Sequence, residues 1–142
     1  MKNIQILTSE KDSCLKIKLK YKAGLRVKLT LPDGKPGLKA ISEDNKTQCL
    51  LLTEYDDKFQ RERIQISIFQ KKDSDWIPKL TFATNFAYLW EDENNLKYRK
   101  SHSQEIRTLF KKIMNSLPDN FTEKQIEEEL RKSDRFKVPI SH

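Results

Sequence analysis

The chain has 142 residues, 36% of them hydrophobic and 35% charged, with a net charge of +7 and a pI near 9.4. That length suits one domain with a real core, and the balance of residues excludes a disordered chain. No apolar run approaches the roughly 20 residues a membrane helix needs.

The charge is uneven. Residues 1–30 hold eight Lys/Arg against two acids, which is +6 of the +7. One basic segment on a near-neutral remainder points to an acidic or phosphate-rich partner, with a merely solvated surface as the bland alternative. The two cysteines, Cys14 and Cys49, stand apart in apolar surroundings without a CxxC, which reads as buried free thiols in a reducing compartment. The first residues lack the apolar core of a secretion signal. We therefore expect a cytoplasmic protein.

In chain order, Lys2–Leu7 reads as a short strand and Thr8–Ser13 as a polar turn. Cys14–Leu31 then alternates strictly. Leu15, Ile17, Leu19, Tyr21, Leu25, Val27, Leu29 and Leu31 take odd positions, and Lys16, Lys18, Lys20, Lys22, Arg26 and Lys28 take even ones. A period of two is the mark of a half-buried strand. A three-residue loop at Lys22-Ala23-Gly24 would set Tyr21 opposite Leu25 and Lys20 opposite Arg26, with Gly24 at the left-handed position. This predicts a hairpin whose outer face carries six cations, although like charges opposite one another cost stability.

Pro32–Gly37 reads as turn and loop, and Ser42–Thr47 as a polar loop. Gln48–Tyr55, with three consecutive leucines, predicts a strand covered on both faces. Asp56–Gln60 is a charged connector. Arg63–Phe69 alternates, with Ile64, Ile66 and Ile68 on one face and Arg63 and Phe69 on the other. Gln70–Asp75 is a hydrophilic loop. Leu80–Trp90 favours a strand, and Leu96–Lys100 reads as the returning arm of a hairpin.

The period then lengthens. Ile106, Leu109, Phe110, Ile113, Met114 and Leu117 form one apolar stripe of a helix, with Ser101/Gln104 or Ser103 as its cap and Pro118 beyond its end. A second helix, Glu123–Lys132, opens with a Thr122/Gln125 capping box and a Phe121/Ile126 staple. Its stripe is little more than Ile126 and Leu130, so it lies on the surface or awaits a partner. The tail Phe136–Ile140 is apolar at alternate positions and suits a sheet edge, its own or another protein's, or frays in solvent.

These elements predict an α+β fold. A curved antiparallel sheet or partial barrel of six to seven strands (residues 1–100) precedes two C-terminal helices (101–132) in a single domain, with 133–142 as a flexible or partner-binding tail. The segment from Ile106 to Lys132 is similar to the first two helices of a winged helix, but no basic third helix follows and Glu127–Glu129 would repel DNA, so no role is carried over.

Catalytic chemistry is sparse in the sequence. His102 reads as a capping-region surface residue and His142 as a disordered end, and neither has metal-ligand spacing. Pro32-Asp33 followed by Asp56-Asp57-Lys58 matches the PD…(D/E)xK metal-nuclease pattern, yet Pro32-Asp33-Gly34 is better explained as a turn. No catalytic residue, metal or cofactor is expected. The expected function is a small non-enzymatic protein binding DNA or RNA phosphates chiefly through Lys18, Lys20, Arg26 and Lys28, with Lys16, Lys22 and Arg63 at the rim. The alternative is an accessory or inhibitor protein docking on an acidic protein surface, with Phe121, Ile126, Leu130, Phe136, Val138 and Ile140 as partner-binding residues. An anionic membrane surface is a third, smaller option.

Overall fold

The structure is a computed structural model describing residues 4–7, 25–56, 61–84, 88–89 and 93–142. The strands are β1 (Ile4–Ile6), β2 (Leu25–Lys28), β3 (Leu38–Ile41), β4 (Thr47–Asp56), β5 (Arg61–Lys72), β6 (Asp75–Ala83) and β7 (Tyr88–Leu89). Helices α1 (Glu93–Ser116) and α2 (Glu123–Arg131) follow, and a two-residue strand β8 (Ile140–Ser141) ends the chain. All pairings are antiparallel.

The long hairpin β4–β5 is the spine. β4 carries β3 on the first part of its free edge and β2 on the last part, through Leu38↔Leu51 and Lys28↔Thr53. β5 likewise carries β6 and then β7, through Ile66↔Phe82 and Glu62↔Tyr88. β1 lies outside β3 and β8 outside β6, so the sheet stays open.

Alternation along β4 divides the core in two. Cys49 and Leu51 join Ile64, Ile66, Ile68 and Phe82 under the helices, where Ile106, Phe110, Met114, Ile126 and Leu130 meet them. Leu50 and Leu52 face the other way, with Leu7, Val27, Phe69 and Trp76. A run of leucines is legible as a two-faced strand because both its faces are buried. Phe69 is fully buried in the second cluster, and the register slips between Ile68 and Phe69 where Pro78, which has no N–H to give the ladder, stands opposite.

Turn chemistry fixes the connections. At Leu31–Lys35 the Gly34 N–H donates to Leu31 O at 2.8 Å with φ +79°, and Asp33 Oδ1 accepts from the Lys35 N–H at 3.0 Å. Gly37 has no room for a side chain, since an added Cβ would sit 2.7 Å from Leu51 O. Asp73, at φ 58°, carries the two-residue β5–β6 turn where a longer loop was expected. The loop after β3 is anchored on the helices by Glu43 N–H to Asp119 O (2.9 Å) and Asp44 N–H to Asn120 Oδ1 (2.7 Å).

The structure departs from the sequence expectations at several places. Leu38–Ile41, given no assignment from sequence, is a strand with Leu38 and Ala40 buried. Leu96–Lys100 is helix, because α1 begins at Glu93. Ser101 and Ser103 are therefore interior helix positions and not caps. The cause is that the inward face of the first turns is polar: Arg99, His102 and Ser103 are buried there, so an apolar period becomes visible only at Ile106. Of the alternatives for the tail, pairing with the chain's own sheet edge is the one present. Phe136 packs edge-on to Phe82 at 6.2 Å, the Lys137 N–H donates to Ala83 O, and Ile140 pairs with Thr81. His142 is held too, with its backbone N–H on Lys79 O and its Nε2 2.7 Å from Thr81 Oγ1.

The expected start of α2 is present. Thr122 Oγ1 accepts from the Gln125 N–H, and Gln125 Oε1 accepts from the Thr122 N–H. Phe121 and Ile126 are both buried beside it.

Candidate functional site

The strand β2 is the described end of the cationic alternating segment. Val27, in register with Glu54 and Arg63, lies on the face away from the helices and is buried. Lys28, in register with Thr53 and Ile64, lies on the face that α1 covers. Its ammonium is 3.2 Å from Glu62 Oε2 and 5.0 Å from the Tyr55 ring centroid. The second Glu62 oxygen takes Arg99 Nη1 at 2.6 Å. Glu62 and Arg99 are almost entirely removed from water, while the Lys28 side chain is 31% exposed.

This trio joins β2, β5 and α1. A cleft of about 170 Å³ lies above it, roofed by Thr30, Pro32 and Gly34. A buried carboxylate needs cations and hydrogen bonds to offset its lost hydration, and here each oxygen has one. The arrangement is a clamp holding strand to helix.

The predicted site residues separate. Lys28 and Arg63 lie on opposite faces of the sheet, so Arg63 is not a rim to Lys28. Arg26 is in register with Tyr55. Lys16, Lys18, Lys20 and Lys22 lie outside the described residues, as does the Lys22–Gly24 turn. Of the partner-binding set, Phe121, Ile126, Leu130 and Phe136 are buried in the chain's own core, because so thin an apolar stripe is enough for a helix lying on the sheet. Val138 and Ile140 stay exposed.

His102, expected at the surface, is buried within α1 with its ring parallel to Tyr98 at 6.3 Å. Burial lowers its pKa, offset in part by Glu105 and reinforced by Arg135. Burial pushes the Cys49 thiol far up. The Pro32–Gly34 segment is the turn already described, and Asp57 and Lys58 lie outside the described residues. Among the described residues no group of three His, Cys, Asp or Glu is arranged to hold a metal ion.

No protein-family model, curated protein or solved structure matches this chain.

The structure adds a basic surface that the sequence reading missed. The outward positions of α1 carry Lys97, Lys100, Lys111 and Lys112, all exposed. The single exposed acid of residues 97–116 is Glu105, which is paired with Arg135. Lys35 reaches across from the Pro32–Gly37 turn to Gln104 Oε1 at 3.2 Å, and Arg107 donates to Pro36 O. The signal was present as lysines at helical spacing, but reading Leu96–Lys100 as a strand scattered them.

Proposed function

We propose that the protein is a small non-enzymatic nucleic-acid-binding protein that contacts phosphates through its N-terminal cationic segment. One observation carries this reading: +6 of the +7 net charge lies in residues 1–30, with its cations at alternate positions. Strand geometry puts alternate positions on one face, which concentrates charge where a polyanion can release its counterions. Backbone contact fits better than base stacking, because Phe69, the ring expected to be outward, is buried. Lys16, Lys18, Lys20 and Lys22 are the contacts proposed first. Lys28 serves the clamp with Glu62, and its share of phosphate contact is secondary.

The test is reversal of Lys16, Lys18, Lys20 and Lys22 to Glu, assayed by anisotropy of labelled DNA and RNA. Loss of binding with an unchanged unfolding midpoint supports the reading, and undiminished binding overturns it. Exposed Val138 (85%) and Ile140 (50%) favour a second reading, docking on another protein through the tail. Replacing both with Asp tests it by abolishing co-purification with a partner.

A further inference from the structure

We infer that one flank of α1, with the Pro32–Gly37 turn beside it, is a second and separate contact for the backbone of a duplex nucleic acid. This rests on the nucleic-acid reading above and extends it to a surface on another part of the fold.

Helical geometry places Lys100, Gln104, Arg107 and Lys111 along one edge of the helix, at spacings of four, three and four. Arg107 and Gln104 hold the turn: Arg107 donates to Pro36 O, and Gln104 accepts from Lys35 Nζ at 3.2 Å. The turn thereby adds a third exposed cation, Lys35, between Lys100 and Lys111. At about 1.5 Å per residue, Lys100 and Lys111 stand about 17 Å apart along the axis. That length matches about five phosphates of one strand at about 3.4 Å of axis each.

The cations of this flank carry no ion pair among the described residues, a feature they share with Lys46, Lys71 and Lys72, so what sets the flank apart is its spacing along one helix edge. Lys28, Arg99, Arg131, Lys132 and Arg135 each have a carboxylate within ion-pair range. Among the described residues, Lys35, Lys97, Lys100 and Lys111 have none. Lys97 and Lys100 are three apart, a spacing at which like charges cost the helix stability. A solvated helix usually interleaves acids at such positions, as α2 does with Glu127–Arg131 and Glu129–Lys132. The flank also begins beside the clamp on β2. Lys28 and Arg99 share Glu62, and Lys100 follows Arg99 in the chain.

The experiment compares the full chain with Lys35→Gln/Lys100→Gln/Lys111→Gln and, as a control of equal charge, Lys46→Gln/Lys71→Gln/Lys72→Gln. The control residues are exposed on loop and hairpin positions away from this edge. Binding of a labelled duplex is followed against salt. The inference predicts that the flank variant loses two to three phosphate contacts, lowering the slope of log K against log salt by about 2 to about 3. Its affinity at physiological salt should fall at least tenfold, while the control keeps the wild-type slope. A flank variant with the wild-type slope, or equal loss in the control, overturns the flank alone. A wild-type chain that binds no nucleic acid overturns both this inference and the reading beneath it.

Discussion

Arg99 and Glu62 meet at 2.6 Å with 3% and 4% of their side chains exposed, thirty-seven positions apart in sequence. The pair ties the first turns of α1 to the start of β5, and Lys28 draws β2 into the same contact. Removing one partner of a buried pair leaves a charge without compensation, typically costing about 3 to about 5 kcal/mol. Arg99→Met should lower stability by about that much in urea unfolding, and Glu62→Leu/Arg99→Met should recover most of the loss. A single substitution that costs under about 1 kcal/mol would contradict the clamp.

The same contact explains what sequence could and could not deliver. Ile64, Ile66 and Ile68 announced a strand because their inward partners are apolar. Arg99, His102 and Ser103 are equally inward, yet as polar residues they carry no hydrophobic period, and eight residues of helix were lost with them. The β4 strand, both helix stripes and the Thr122 cap were readable from local pattern. The Lys28–Glu62–Arg99 contact was not, since nothing local indicates which carboxylate a lysine will meet.

His102 makes stability depend on pH. Its folded pKa is lowered chiefly by burial, so the unfolded chain binds the proton more readily than the folded one. Stability is therefore full above the unfolded value of about 6.5 and declines as pH falls through it toward the lowered folded value. Denaturant midpoints at two pH values on either side should differ in this direction. His102→Gln should shrink the difference, and an undiminished difference would assign it to other groups.

Cys49 is fully buried and its thiol is pushed far above the ordinary value. Since the thiolate is the reactive form, Cys49 should resist alkylation in the folded protein and react promptly in denaturant. Peptide mass mapping reads this directly. Rapid native labelling at Cys49 would show that the sheet opens far more readily than its packing implies.

The C-terminal segment separates packing from exposure within three residues. Phe136 is 9% exposed against Phe82, and Val138 is 85% exposed. Phe136→Ala should cost about 3 kcal/mol or more, as for other buried aromatic truncations. Val138→Asp should change stability by no more than about 0.5 kcal/mol. Equal effects at the two positions would mean the tail is not docked along β6 as described.

The proposed binding of nucleic-acid phosphates is tested most directly by the wild-type affinity for labelled duplex DNA, single-stranded DNA and RNA as salt rises. The expected result is binding whose log K falls linearly with log salt, with affinity dropping at least tenfold between about 50 and about 200 mM. Absence of binding at the lowest salt, or binding indifferent to salt, would contradict it and move the function to a protein partner.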